Sequence, residues 1–361
     1  MRNGSSYLGT GRYLQHENAA ALLGAELKRA GDRRAFILGG RTALSVSLSR
    51  MEPGLKDEHI EYTVHEFFGH CTKEKCASIR GLAEKAGAEV IVGVGGGKAL
   101  DTAKCVADDM NARVVTVPTS AATCSACACM SVIYSEDGDI LSNAFHHREP
   151  YVVLVDMDIL TRHCPPRMLA SGIADAAAKY PEIAFSLEPS WDWEKSVLSF
   201  AGLTLAKFNW EVFEQKGAKA VRDVKGGKNS VEVEDCVCMG IALTGTVSSL
   251  MSGGRQLAIS HALYDAVCKH FKEQQRSFLH GEIVSAGIAL QLHVNGVAPA
   301  QIEKTRAHLQ ALGTPTRLKD LRIPSNVANM ETIFSHICRN MELKEERMKE
   351  RLREGLQYIA K

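Results

Sequence analysis

The chain has 361 residues, 45% of them hydrophobic and 24% charged, with a formal net charge of +1. That length supports a large core and two domains, and the composition is ordinary for a soluble globular protein. The near-zero charge, with no basic block, argues against nucleic acid and anionic membrane as partners; no apolar run is read as reaching transmembrane length, and Asn3 to Tyr7 carry no signal-peptide core.

Arg34 to Leu38 is a short apolar run ending in Gly39, Gly40 and Arg41, with a helix expected from Ala43. Glu61 to Val64 is a second strand candidate, Ile79 to Ala86 a helix, Val90 to Val94 a third strand, and Arg113 to Val117 a fourth, closed by Pro118 and Thr119. Strands alternating with helices at this spacing imply parallel βαβ units, and ligands on such sheets bind at the carboxyl ends of the strands. Ser131 to Tyr134 followed by Glu136, Asp137, Gly138 and Asp139 reads as a hairpin, and Tyr151 to Val155 as a last strand. Pro165 and Pro166 mark a domain boundary, giving 1–164 as an α/β domain and 165–361 as a helical one. In the second, 168–186, 194–215, 231–251, 254–271, 280–294, 300–311 and 329–358 have helical periodicity.

The stretch from Val90 to Lys104 carries the clearest chemistry. It reads as strand, glycine turn and helix, with Ala99, Leu100, Ala103, Val106 and Ala107 at helical spacing. Glycines let the backbone approach a ligand closely, free N–H groups and the helix dipole suit a phosphate, and Lys98 adds a cation. Gly93, Gly95, Gly96 and Gly97 match neither common glycine fingerprint, and alone they would serve a structural turn as readily as a phosphate. Gly39 and Gly40, Gly95 to Gly97, and Pro118 and Thr119 all close strands and could converge on one dinucleotide.

In the helical half, Asp175, His261 and His280 are each single polar residues on apolar helices. Each alone fits a satisfied core residue; together they are a three-ligand set that leaves a metal position open. The eleven cysteines, an odd number in apolar contexts such as Cys105, Cys268 and Cys338, fit reduced thiols and a cytoplasmic protein. Cys71 with Cys76, and Cys124, Cys127 and Cys129, invite a zinc reading, but a structural zinc wants two paired ligand knuckles.

The word Gly95-Gly96-Gly97-Lys98-x-x-Asp101-x-x-Lys104 resembles the iron-containing (group III) alcohol dehydrogenase superfamily, which includes glycerol dehydrogenases and the related dehydroquinate synthases. Pro118-Thr119, the Ser131 to Tyr134 strand with its Glu136-Asp137-Gly138 turn, and Gly313-Thr314-Pro315-Thr316 extend the resemblance over nearly the whole chain. It implies a parallel dinucleotide-binding sheet followed by an all-α domain, the dehydroquinate synthase-like fold. It implies Asp175, His261 and His280 as catalytic metal ligands, with zinc favoured over iron, nickel or manganese; Lys179 stands where many relatives have a further His. It also implies that Gly97 to Asp101 (Gly97, Lys98, Ala99, Leu100, Asp101) and Thr119 to Ala122 (Thr119, Ser120, Ala121, Ala122) hold the pyrophosphate and ribose of NAD or NADP. Ala128, Met130 and Tyr134 would line the nicotinamide pocket.

Three departures bear on specificity. Cys124 stands where glycerol dehydrogenases have a polyol-binding Asp. Lys179, one turn beyond Asp175, either faces a substrate carboxylate or is a paired or solvated lysine. Gly40 and Arg41 replace an acid that binds the ribose of NAD, so that Arg41 could pair with a 2′-phosphate. Together these resemble the hydroxycarboxylate dehydrogenase A subgroup and imply reduction of a 2-oxo acid. The rivals are a NAD-dependent polyol dehydrogenase, a dehydroquinate synthase-type lyase and a non-catalytic binding protein. A homo-oligomer with closed symmetry is expected.

Overall fold

The computed structural model describes residues 8–189, 195–251 and 255–361. Asn3 to Tyr7, and the residues at 194 and 254 with which two expected helices begin, lie outside them. The chain divides into two compact units. One runs to Pro165 and adds Asp223–Ser249; the other comprises Pro166–Arg222 and Leu250–Lys361.

The first unit follows the order β1 (Tyr13–His16), α1 (Leu23–Ala30), β2 (Arg34–Gly39), α2 (Arg41–Asp57), β3 (Glu61–Glu66), α3 (Lys73–Lys85), β4 (Val90–Gly95), α4 (Gly97–Asp109) and β5 (Arg113–Pro118). A hairpin of β6 (Met130–Tyr134) and β7 (Ile140–Phe145) comes next, then β8 (Val152–Asp156) and α5 (Met157–Arg162). Six strands form one parallel sheet in the order β1-β8-β5-β4-β2-β3. β4 and β8 are buried along their whole length, as the near-continuous apolar strands of a sheet covered on both faces must be. Alternation sorts the core: Val90, Val92 and Val94 face Leu27, Met51 and Leu55, whereas Ile91 faces Phe36, Ile79 and Val106.

Several boundaries differ from the sequence reading. The strand Tyr13–His16 is too short and too polar for a period of two to stand out. The third helix begins at Lys73 rather than Ile79, because Thr72 caps it by accepting from the Lys75 N–H at 3.2 Å.

In the second unit α6 (Pro166–Ser186) leads to α7 (Val197–Lys225), which carries the chain back to the first unit. There α8 (Val231–Cys238) and α9 (Thr244–Leu250) are joined by a π-helical turn, Met239–Leu243. Sequence patterning assigns all of 165–361 to the helical domain; Asp223–Ser249 instead packs with the sheet unit. Gln15 Nε2 donates to the Glu234 carbonyl at 2.8 Å, and Ser248 Oγ lies 3.9 Å from Cys124 Sγ. This run also corrects the transmembrane reading. Val231–Leu250 is long and apolar enough to cross a membrane by length and composition, with a mean hydropathy of 1.3, although 56% of it is buried in protein as in a core helix.

The remaining helices are α10 (Ile259–His270), α11 (Lys272–Ser277), α12 (His280–Val294), α13 (Pro299–Leu312), α14 (Val327–Asn340) and α15 (Glu346–Ala360). The expected helix 329–358 is two helices, broken where Glu342 turns left-handed at φ 53°. α12 is buried nearly all round and packs against α6, α10 and α15.

Candidate functional site

Three helices of the second unit bring Asp175, His261 and His280 together. Asp175 lies midway along α6, His261 in the first turn of α10, and His280 at the first residue of α12. Asp175 Oδ1 is 3.2 Å from His261 Nε2 and 3.2 Å from His280 Nε2. α12 can start there because residue 281 is glycine: a Cβ on Gly281 would stand 1.9 Å from the Ser171 carbonyl oxygen on α6. Glu282 fixes the start of α12, accepting from the Leu279 N–H at 2.8 Å while pairing with Arg167 at 2.5 and 2.6 Å.

The sequence reading missed Glu182. It is fully buried, and its carboxylate accepts from His261 Nδ1 at 2.7 Å and from the N–H groups of Ala258 and His261 at 2.8 and 2.9 Å. A carboxylate on Nδ1 fixes the tautomer and turns the Nε2 lone pair toward Asp175, an arrangement recurrent behind metal-bound histidines. The signal was present: Asp175, Lys179 and Glu182 follow i, i+4, i+7, one face of α6.

A neutral Nε2 facing a carboxylate oxygen is repulsive unless a positive charge lies between them. Burial raises the Asp175 carboxyl, yet His280, His261 and Lys179 bring it well below the usual carboxylate range. Burial lowers the His261 imidazole, yet the Glu182 charge, opposed by Lys179 and helped by the hydrogen bonds His261 donates to Asp175 and Glu182, pushes it up to about 9. Asp175 and His261 thus favour positive charge between them, which a proton supplies and a divalent cation can take over. Zinc–nitrogen bonds of 2.0–2.1 Å in a tetrahedron place donors roughly 3.3 Å apart, close to the spacing found. The donor set and its geometry fit a divalent ion.

Lys179 is buried, 6% exposed, and among the described residues it has no hydrogen-bond or ion-pair partner. Its charge acts on both Asp175 and His261.

In the first unit, the glycine loop closes β4. Gly95 has φ +145°, where an L side chain is strained, and Gly96 caps α4 in an extended conformation. No side chain caps the start of α4, and a Cβ on Gly96 would stand 3.5 Å from Ser120 Oγ; the Thr119 N–H donates to the Gly95 carbonyl at 3.0 Å. Lys98 lies over the Tyr134 ring, 5.8 Å from its centroid, with its pKa lowered by burial.

The other expected cofactor residues divide. Ala99, Leu100, Ala121 and Ala128 are buried, so their side chains pack the core. Asp101 is internally consumed: it accepts from Ser125 Oγ at 2.6 Å and from the Val132 N–H at 3.1 Å, and pairs with buried Lys104 at 3.0 Å. Lys104 also donates to the carbonyls of Ala128 and Met130, so these residues fix the loop. Ala122, Met130 and Tyr134 are partly exposed. Cys124 sits partly buried beside Ser248. Gly40 caps α2, and Arg41 follows it. Arg41 is exposed, and its Nε pairs with Glu66 at 3.0 and 3.3 Å. Glu66 ends β3, whose register sets it opposite Gly39. An acid therefore does stand at this edge, on the neighbouring strand, where the reading from Gly40 and Arg41 found none.

All eleven cysteines are free thiols. Cys124, Cys127 and Cys129 form no ligand cluster among the described residues, whereas Cys71 and Cys76 are joined by Cys105.

A family model described as iron-containing alcohol dehydrogenase matches residues 10–157. A glycerol dehydrogenase of Escherichia coli is 30% identical over 330 residues, 91% of this chain and 88% of that one. Hydroxycarboxylate dehydrogenase A of Escherichia coli K12 is 29% identical over 312 residues, 86% of this chain and 83% of that one. The crystal structure of a probable glycerol dehydrogenase from Sinorhizobium meliloti is similar over 99% of this chain and 98% of that one, with a TM-score of 0.84 at 24% identity; that likeness carries the fold.

Proposed function

Because this chain belongs to the iron-containing alcohol dehydrogenase family, in its glycerol dehydrogenase branch, it is an oxidoreductase of alcohol groups, and we propose that Asp175, His261 and His280 hold the divalent cation for that reaction. The observation that carries this reading is the 3.2 Å approach of both Nε2 atoms to Asp175 Oδ1. Zinc suits the one-carboxylate, two-imidazole set and would supply a Lewis acid that polarises the substrate oxygen and lowers an alcohol's pKa. Glu182 holds His261 in the liganding tautomer, and the Gly281 approach holds His280 beside α6.

The open N–H groups of α4 and Lys98 are proposed to bind the pyrophosphate of a nicotinamide dinucleotide, which accepts or supplies the hydride. Glu66 beside Arg41 favours the 2′-hydroxyl of NAD, because its carboxylate can accept from that hydroxyl and would repel a 2′-phosphate.

For the substrate, a buried lysine without a partner, one turn from the cation pocket, favours a carboxylate, and hence a 2-hydroxy or 2-oxo acid. A charge-assisted hydrogen bond is worth about 1.5–3 kcal/mol, so Lys179→Ala should raise KM for 2-oxobutanoate roughly 10- to 100-fold and leave dihydroxyacetone nearly unchanged. Equal effects on both would remove the carboxylate role. The second reading, a polyol, rests on the name of the 30% identical relative. It predicts turnover confined to NADH with dihydroxyacetone. The proposal includes a small molecule as the partner, no nucleic acid or membrane, a homo-oligomer, and a reducing compartment such as the cytoplasm, consistent with the free thiols.

A further inference from the structure

Outside both of these sites, three sulfurs meet inside the first unit. Cys71 precedes α3, Cys76 lies in its first turn, and Cys105 lies on α4. Cys71 Sγ and Cys76 Sγ are 3.8 Å apart, and the three sulfurs all lie within 4.8 Å of one another. All three are buried. Cys71 and Cys76, as hydrogen-bond donors, hold the Cys105 thiol well below its ordinary range.

The chemistry of this cluster is narrow. Among the described residues no imidazole or carboxylate joins it, so it offers three soft donors and no fourth ligand. A structural zinc is almost always four-coordinate, whereas thiolate-only sets select soft ions such as copper(I). With metal–sulfur bonds near 2.3 Å, three sulfurs around a trigonal ion stand roughly 4.0 Å apart, and the spacing found needs little adjustment. To ligate as thiolates the sulfurs release their protons, so retention of the ion should tighten as pH rises.

We propose that Cys71, Cys76 and Cys105 form a binding site for a soft monovalent cation of the copper(I) class, independent of the Asp175, His261 and His280 cluster. The ion would clamp α3 to α4, the helix that opens at the glycine loop, and so stabilise the first unit by mass action.

The test uses the full-length, reduced chain under anaerobic conditions, titrated with copper(I) in competition with bicinchoninate. The expected result is one equivalent of copper retained, with sulfur-only coordination by X-ray absorption. Cys105→Ser and Cys76→Ser should each weaken retention at least tenfold, and His261→Ala should retain copper as the wild type does. Differential alkylation of the wild-type chain in mild denaturant, where transient opening exposes the buried thiols, provides a readout that needs no variant to fold: copper should slow the labelling of Cys71, Cys76 and Cys105 and leave that of Cys124, Cys127 and Cys129 unchanged. No copper held against the competitor, undiminished retention in Cys105→Ser, or protection at Cys124 to Cys129 instead would overturn the proposal. Loss of copper in His261→Ala would also overturn it, by assigning the ion to the other cluster.

Discussion

Replacing Glu182 by glutamine tests how the histidine pocket is built. The two side chains have the same shape, and the amide oxygen can still accept from the N–H groups of Ala258 and His261, which now reach Glu182 at 2.8 and 2.9 Å. The remaining amide group then faces His261 Nδ1, where it can only donate. That forces the other tautomer, with the proton on Nε2 aimed at Asp175 across the present 3.2 Å. The atom that should bind the cation is blocked although no proposed ligand has changed. Changes to carboxylates behind metal-bound histidines cost about 10- to 100-fold in metal affinity, or about 1.4–2.7 kcal/mol. Competition of the purified variant against a zinc chelator, with circular dichroism to confirm the fold, reads this directly. A Glu182→Gln protein that folds and holds zinc as tightly as the wild type would refute the tautomer argument.

Gly281→Ala should open the packing of α12 on α6, because the added methyl would stand 1.9 Å from a backbone oxygen that cannot rotate away. We expect a loss of about 1–3 kcal/mol in thermal stability together with weaker zinc retention, and unchanged melting and zinc retention would contradict the close approach. Acid should also weaken the second unit through His336. Burial, followed by His270, Lys269 and Arg339, pushes its pKa down to about 4. The unfolded chain takes up that proton near 6.5, so the neutral imidazole's contribution is complete above pH 6.5 and is lost as pH falls toward 4. His336→Gln should flatten the stability profile over that window and leave it unchanged above pH 7, as denaturant titrations at several pH values would record.

The sequence was legible where one element carried its own signal. The parallel sheet could be read from Val90–Gly95 and Val152–Asp156, because strands buried on both faces are continuously apolar. Asp175, His261 and His280 could be nominated because a polar residue on an apolar helix is conspicuous. What stayed hidden depended on partners distant in sequence. Asp223–Ser249 has the helical pattern of its neighbours, and only tertiary contact assigns it to the sheet unit. Glu66 is one residue at the end of an exposed strand, and its pairing with Arg41 follows from strand register rather than from sequence spacing. Cys105 lies 34 and 29 residues from Cys71 and Cys76, beyond any local metal-binding spacing, and the sheet topology alone brings them together. Asp101 is expected to fix the loop and the ribose, and its oxygens do hold the loop, through Ser125, Val132 and Lys104.

The central claim is that catalysis depends on a cation held by Asp175, His261 and His280. The most direct measurement is metal content paired with NADH oxidation, using 2-oxobutanoate and dihydroxyacetone, on one preparation before chelation, after it, and after zinc is restored. The account predicts that turnover falls with the metal and returns with zinc in the wild type, and that His261→Ala neither retains zinc nor recovers activity. Full turnover by metal-free protein would contradict it.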